Sequence, residues 1–346
     1  MAEPRLNLPI TGIASFCKAP ICLDPATLEA DVAVLGVPWD EGTGFRPGAR
    51  FGPRGIREYS VRYAFGERGL TVGGYWDVEA RRRYLEKIRL ADCGDVDIIY
   101  TDWQRTFANI TAAVRALLAR GAFPVVLGGD HAITFPVVQA YAEQGPFGLL
   151  HVDAHLDYTN EVLGVRIASG SPIKRISELP FVTRITQVGI RGIRTRQDAF
   201  EDSARRGNLI VTARELHEQG VPAILERIPR LDRYYVTVDI DALDPGIAPG
   251  TSSPEPDGLT YRQLRDLLRG MAGKGRILGM DLVETNPSLD PIGLAQPPSA
   301  GKMGQSGPLC KSIIPTCVIG IIYGHGNKKS GRGTERNRRP RGGRQG

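Results

Sequence analysis

Short apolar runs rich in β-branched residues alternate with longer amphipathic segments along most of this chain. The alternation predicts strands joined by crossover helices, and therefore a single three-layer α/β/α domain with one open, mostly parallel sheet. The apolar runs predict strands at 32–37, 124–127, 147–153, 185–190, 208–212, 233–239 and 276–283. The amphipathic segments predict helices at about 103–120, 133–144, 195–206, 213–228 and 260–273.

Composition is that of a globular protein of the cytoplasm. Hydrophobic residues make up 41% and charged residues 24% of the 346 residues, and no apolar run is long enough to cross a membrane. The first residues lack the basic and apolar pattern of a secretory signal. The cysteines are odd in number and form no CxxC pair, which favours a reducing compartment. They are Cys17, Cys22, Cys93, Cys310 and Cys317.

The basic character of the chain is confined to its last residues. Residues 301–346 contain ten Lys or Arg and one acid, so their formal charge is +9; with a total of +6, residues 1–300 carry −3. We predict an N-terminal extension over 1–30, one domain over 31–296 and an atypical, disordered tail over 297–346. The tail could bind nucleic acid as Arg/Gly segments do. Its abrupt start favours a shifted reading frame or an altered exon, so nucleic acid is not an expected partner.

Potential metal ligands stand at the ends of three predicted strands. The carboxyl ends of parallel strands meet at one edge of the sheet, so we expect these side chains to lie together. Four carboxylates without a cation would repel one another. Oxygen donors with two imidazoles and no thiolate suit Mn²⁺ better than zinc or magnesium, and they suffice to bridge two ions. A purely structural role stays open for each residue taken singly. The candidates are His131, Asp153, His155, Asp157, Asp239 and Asp241.

Four motifs carry a resemblance to a known family. They are GGDH at 128–131, DAHLD at 153–157, DIDALDP at 239–245 and ETNPSLDP at 284–291. With these motifs the chain resembles the ureohydrolases, which include arginase, agmatinase, guanidinobutyrase and formimidoylglutamase. The segment at 42–58 is more similar to agmatinase-type members. The resemblance implies an arginase-like fold, two Mn²⁺ ions and hydrolysis of a small guanidino compound to urea and an amine. Agmatine is favoured as substrate, and guanidinobutyrate is the other candidate.

The resemblance assigns the six candidate ligands to two ions. It implies that one ion is held by His131, Asp153, Asp157 and Asp239. It implies that the second ion is held by Asp153, His155, Asp239 and Asp241. Asp153 and Asp239 would therefore bridge the pair. The resemblance also implies a homo-oligomer, either a trimer or a hexamer.

Catalytic and substrate-binding roles are implied for residues beside these ligands. Glu284 would bind the substrate, because a carboxylate matches the planar fork of a guanidinium group, and Asp157 would pass a proton to the leaving amine. Ser253 keeps a hydroxyl where the family uses one near the substrate. Ser169 stands where many members have a histidine that shuttles protons or contacts substrate. A serine hydroxyl does not titrate near pH 7, so it cannot replace that imidazole.

Two questions stay open from the sequence alone. Ser169 and the absence of the family's last helix after Gln296 allow a weakly active or inactive ureohydrolase-fold subunit as the alternative to an active enzyme. The loop after DAHLD contains both Glu161, which would suit the amine of agmatine, and Arg166, which would suit the carboxylate of guanidinobutyrate. His151, two residues before the DAHLD motif, is interpreted as a packed strand residue.

Overall fold

The computed structural model describes residues 11–64, 74–79, 81–86 and 88–290. The predicted tail at 297–346 lies outside these residues, and its prediction stands untested. The described strands are β1 Val32–Val37, β2 Tyr75–Asp77, β3 Arg82–Tyr84, β4 Leu90–Asp95, β5 Phe123–Gly128, β6 Phe147–Val152, β7 Val182–Ile190, β8 Leu209–Thr212, β9 Arg233–Asp239 and β10 Arg276–Val283.

Eight of these strands form one sheet in the order β4-β1-β5-β10-β9-β6-β7-β8. Every pairing within this sheet is parallel. The short β2 and β3 pair antiparallel as a separate hairpin. A parallel sheet needs crossover connections, and the intervening helices provide them. The predicted open sheet is therefore confirmed.

Helices cover both faces of the sheet. Alternate strand residues point to opposite faces, so the core divides into two layers. One layer contains Val34 and Leu127 and is covered by the helices at 52–60, 213–227 and 261–271, whereas the other contains Leu35 and Val126 and is covered by the helices at 103–119, 134–139, 172–177 and 197–205. The predicted three-layer architecture is confirmed. The described helices are α1 Gly52–Ser60, α2 Trp103–Ala119, α3 Thr134–Gln139, α4 Pro172–Ser177, α5 Gln197–Arg205, α6 Ala213–Arg227 and α7 Tyr261–Met271. None of the helices in this part of the chain has the length and apolar character needed to cross a bilayer.

The structure differs from the sequence prediction in the first third of the chain and after β5. The edge strand β4 was not predicted, because Asp92 and Asp95 interrupt its apolar pattern. Helix α1 was not predicted either, because it contains two glycines and a proline, which are poor helix formers. The predicted helix at 133–144 is divided, since α3 ends at Gln139 and a separate 3₁₀ turn follows at Ala142–Gln144.

A buried ion pair joins α1 to β4 and supports a stability prediction. Arg57 donates to both carboxylate oxygens of Asp92, at 2.8 and 3.0 Å, and both residues are buried. Replacing Arg57 by Met would leave the Asp92 charge buried without its cation, so we expect unfolding free energy to fall by about 3–5 kcal/mol. Arg54→Met on the same helix removes only an exposed pair with Glu58 and should cost at most about 1 kcal/mol. Urea unfolding of both variants checks this, and equal effects would contradict it.

Candidate metal centre

The four strands at the middle of the sheet end at one edge with chemically active residues. These strands are β5, β10, β9 and β6, which are direct neighbours in that order. His131 follows β5, Glu284 follows β10, Asp239 ends β9, and Asp153 follows β6. Sequence-distant residues therefore converge because parallel strands share the direction of their carboxyl ends.

The turn between β5 and His131 depends on a close approach of two backbones. Neither Gly128 nor Gly129 has a positive φ angle. A Cβ atom on Gly129 would instead lie 1.7 Å from the carbonyl oxygen of Trp39. Glycine is required here because no side chain fits between the two segments.

Three carboxylate oxygens surround Nδ1 of His131. They are 3.1 Å away in Asp153 (Oδ2), 3.0 Å in Asp157 (Oδ2) and 3.3 Å in Asp239 (Oδ2). Nδ1 is buried and makes no hydrogen bond of good geometry within the described residues. Adjacent ligands of an octahedral ion with bonds of about 2.1 Å are about 3.0 Å apart. These four atoms are therefore spaced like ligands of one cation.

The outer nitrogen of His131 is held by a buried hydroxyl. Thr237 Oγ1 donates to Asp281 Oδ1 at 2.5 Å and lies 3.0 Å from Nε2 of His131. Because the Thr237 proton is directed to Asp281, its oxygen accepts the hydrogen bond from Nε2–H. This tautomer leaves Nδ1 unprotonated and free to bind a metal. Tyr235 donates to the second oxygen of Asp281 at 2.8 Å and fixes that carboxylate.

Asp153 also contacts a second group of donor atoms. Its Oδ1 is 3.5 Å from Nδ1 of His155, and the same nitrogen is 3.0 Å from Asp241 Oδ2. Asp153 thus directs one oxygen to each group, as a bridging ligand does. Asp239 lies in the first group, and its Oδ1 accepts the backbone N–H of Asp241 at 2.9 Å. Its bridging role stays a prediction.

The clustered carboxylates of this centre require positive charge nearby. Burial and the carboxylates of Asp241 and Asp153 raise the pKa of Asp239 well above its usual range. Burial opposes protonation of His155, but the same two carboxylates outweigh it and raise its pKa to about 12. Metal ions would replace such protons, because a metal site needs neutral imidazoles and ionised carboxylates. The oxygen-rich donors and the unpartnered Nδ1 of His131 therefore fit a pair of divalent ions.

Two site residues have left-handed backbones although neither is glycine. The φ angle is 50° at Asp157 and 62° at Glu284. Such conformations cost about 1–3 kcal/mol and persist where surrounding bonds hold them. The carbonyl of Asp157 accepts the N–H of Ile173, in the first turn of α4, at 3.1 Å, and the N–H of Glu284 donates to Gly129 O at 2.8 Å. These bonds aim both carboxylates at the candidate centre.

Glu284 is anchored on both of its oxygens. Oε1 accepts the backbone N–H of His131 at 2.9 Å, and Oε2 accepts the hydroxyl of Ser252 at 2.8 Å. Burial raises the pKa of Glu284 to about 7 despite these hydrogen bonds. Each oxygen keeps a second lone pair for a further donor. The carboxylate is thus fixed in position and can still bind a cationic ligand.

A cavity of about 400 Å³ opens onto these residues. Its lining includes Asp157 and Glu284 together with both predicted substrate-binding serines, Ser169 and Ser253. The backbone N–H of Ser169 donates to Gly42 O at 3.1 Å, which holds its loop over the cavity. The structure therefore brings the six candidate ligands, Glu284 and both serines to one place, whereas Arg166 is not among the lining residues.

The sequence alone predicts no functional role for His151 or Arg194, which also lie in this region. His151 is buried, as expected, but its Nε2 lies 2.7 Å from Asp153 Oδ2 and so contacts a candidate ligand. The available signal was its position on the same strand face as Asp153. Arg194, shortly after β7, lines the cavity. Its position beyond the carboxyl end of a predicted strand was the signal there.

Comparison with known protein families agrees with this geometry. A sequence model described as the arginase family matches residues 30–296, which is more than half of the chain. The chain belongs to the arginase family. It is therefore a hydrolase of that family, and the resemblance carried by the four motifs is confirmed.

Individual relatives extend this result. The protein named guanidino acid hydrolase, mitochondrial, from Homo sapiens is 38% identical over 285 residues, which cover 81% of this chain and 77% of the relative. Agmatinase, mitochondrial, from Gallus gallus is 36% identical over 288 residues, which cover 82% of this chain and 81% of the relative. The solved structure of proclavaminate amidino hydrolase from Streptomyces clavuligerus matches with a TM-score of 0.77 at 30% identity. The match covers 92% of this chain and 98% of that structure's chain. The arginase-like fold is thereby confirmed. Because two of these relatives are named as mitochondrial, the cytoplasmic location stays a prediction.

Proposed function

We propose that this arginase-family protein is a dimanganese amidinohydrolase that cleaves a small guanidino compound to urea and an amine. The proposal is carried by one observation: Asp153 is shared between two groups of donor atoms, in a centre that opens with Glu284 onto one cavity. Two manganese ions, when bound, would lower the pKa of a water molecule so that hydroxide is available near neutral pH. Assembly into a trimer or a hexamer is proposed from the family resemblance alone.

Glu284 would bind and orient the guanidinium group. The His131 N–H and the Ser252 hydroxyl already hold its two oxygens. A guanidinium ion can donate two parallel hydrogen bonds to such a carboxylate. The substrate's positive charge favours the ionised form of Glu284. The central carbon would then be held in a fixed position for attack, which removes much of the entropic barrier.

Asp157 would move the proton that the reaction must transfer. It lines the cavity, and its left-handed backbone directs Oδ2 to within 3.0 Å of His131 Nδ1. A carboxylate in this position can accept a proton from the attacking water and give it to the leaving amine. Ser169 lines the same cavity, and its hydroxyl can hydrogen-bond to substrate without supplying a titrating group.

Agmatine is the first candidate substrate. Glu161 lines the cavity and could pair with the distal amine of agmatine. Arg166, the residue of the same loop that would suit guanidinobutyrate, forms an ion pair with Glu178 at 3.1 Å and is not among the lining residues. A guanidino acid is the second candidate, because Arg194 lines the cavity and makes no hydrogen bond or ion pair with other described residues.

Neutralising single charged side chains at the cavity distinguishes agmatine from guanidinobutyrate as the substrate. Glu161→Gln should raise KM for agmatine about tenfold and leave KM for guanidinobutyrate unchanged, because one charge-assisted hydrogen bond is lost. Arg194→Gln should have little effect on agmatine. Arg166→Gln serves as the control, since Arg166 pairs outside the cavity. A rise in KM for guanidinobutyrate in Arg194→Gln, with agmatine unaffected by Glu161→Gln, would replace the first candidate by the second.

A weakly active or inactive subunit is the alternative function, and Ser169 in the cavity favours it. Metal content and urea release separate the two. The proposed enzyme should contain two manganese ions per chain and release urea from agmatine or guanidinobutyrate. Two bound ions with no urea from either compound would support the alternative. Absence of bound manganese would overturn the proposed centre itself.

A further inference from the structure

Four polar side chains, three of them fully buried, form a chain of hydrogen bonds behind the candidate metal centre. His151 on β6 and Gln187 on β7 are direct partners in the parallel register of the two strands. Gln187 in turn contacts Ser203 of α5, and Asn208 contacts Ser203. His151, Gln187 and Ser203 are all fully buried. Burial of uncharged polar groups is costly unless they are hydrogen-bonded, so this arrangement calls for a physical explanation.

The neighbours of Gln187 determine which way its amide points. Its Nε2 lies 2.6 Å from the carbonyl oxygen of Leu156, which can only accept a hydrogen bond. Its Oε1 accepts the hydroxyl of Ser203 at 2.9 Å. The second N–H of the amide is then directed to Nδ1 of His151 at 3.1 Å. The reversed amide would place two acceptors against each other at Leu156.

The orientation of Gln187 determines the tautomer of His151. Because Nδ1 receives an N–H from Gln187, it must be unprotonated. The ring proton of the neutral imidazole is therefore on Nε2, which lies 2.7 Å from Asp153 Oδ2. His151 consequently donates a hydrogen bond to the Asp153 carboxylate and has no free nitrogen with which to bind the metal. From Asn208 to Asp153, each group donates to the next, and aligned hydrogen bonds strengthen one another.

We propose that Gln187 and His151 are positioning residues that hold Asp153 in its bridging orientation and so raise the affinity for manganese. This inference rests on the proposed metal centre. The backbone N–H of His155 already fixes Oδ1 of Asp153 at 2.6 Å. The His151 bond fixes Oδ2, and the two together prevent rotation of the carboxylate away from either group. Groups that orient metal ligands typically change metal affinity 10–100-fold when removed.

The test is a titration of the metal-free full-length protein with Mn²⁺, read by calorimetry and by competition with a chromogenic chelator. His151→Phe keeps a ring but removes the donor, and it should weaken manganese binding about 10–100-fold. Gln187→Leu removes the group that sets the tautomer and should weaken binding about tenfold. His151→Gln can present an amide N–H near the place of Nε2–H and should recover part of the loss.

Thr186→Val is the matched control. Thr186 is the residue before Gln187 on the same strand, is fully buried, and its hydroxyl has no hydrogen-bond partner within the described residues. Its replacement should leave manganese affinity unchanged. An equal loss in Thr186→Val would mean that general packing causes the effect, and that result overturns the proposal. Circular dichroism of each variant shows whether the chain is folded.

The remaining outcomes separate this inference from the proposed function. If the unmodified protein binds no manganese, the metal centre itself fails. If it binds two ions and His151→Phe and Gln187→Leu bind them equally tightly, only the positioning role fails. A third outcome is that His151→Phe and His151→Gln each lose one ion entirely, whereas Gln187→Leu binds both ions normally. That result would mean that His151 is itself a ligand, which contradicts the proposed role.

Discussion

Replacement of Asp239 by Ala should remove manganese and abolish most urea release. Asp239 places Oδ2 3.3 Å from Nδ1 of His131 within the first donor group, and the family resemblance assigns it to both ions. Metal activation contributes several kcal/mol to such reactions, so a loss on the order of 10³-fold or more in kcat/KM is expected. Metal analysis of the purified variant should find substantially fewer than two ions per chain.

Asp232→Ala provides the control for this experiment. Asp232 precedes the amino end of β9, whereas Asp239 ends the same strand at the carboxyl edge. Its removal deletes an equal charge near the same strand without touching the centre, and both metal content and rate should stay unchanged. Full manganese occupancy in Asp239→Ala would contradict the assigned ligand role.

Replacement of Ser169 by His should accelerate urea release by about 10²–10⁴-fold, the usual contribution of one positioned general acid or base. Ser169 lines the cavity with Asp157 and Glu284, so an imidazole there would face the substrate. The gain should appear mainly in kcat if the imidazole acts on the leaving amine, and mainly in KM if it only contacts substrate. The rate should also acquire a pH dependence near the histidine pKa.

Ser169→Asn distinguishes proton transfer from size or polarity. Asparagine is similar in size to histidine and forms hydrogen bonds, but its side chain does not titrate. Its rate should stay near that of the unmodified chain when metal content is matched. A Ser169→His protein that is no faster with agmatine or guanidinobutyrate would show that this position does not act on the reacting groups.

The candidate ligands could be predicted from sequence because local patterns carry the necessary information. A buried strand is a short apolar run, and the first polar residues after it lie at the sheet edge. This pattern identifies Asp153 and Asp239 as candidate ligands from the sequence alone. Their convergence required only that the strands be parallel, since parallel strands end on the same side. The spacing of atoms around His131 and the shared position of Asp153 needed the structure.

The supporting contacts were not predictable for a physical reason. The bond between Gln187 and His151 depends on the register of β6 against β7, and nothing local specifies that alignment. Thr237 beside Asp281 depends in the same way on the register of β9 and β10. Isolated polar residues within apolar strands are a usable signal, but they do not reveal their partners. Likewise, sequence proximity placed Glu161 and Arg166 together, whereas only Glu161 lines the cavity.

Anomalous X-ray diffraction at the manganese absorption edge, from crystals of the manganese-loaded protein, tests the central claim most directly. We expect two peaks per chain, one beside Nδ1 of His131 and one beside Nδ1 of His155, with Asp153 in contact with both. The expected separation is about 3.5–4 Å, as in other two-metal hydrolytic sites. A single peak, or two peaks that do not share Asp153, would contradict the dinuclear centre on which the proposed function depends.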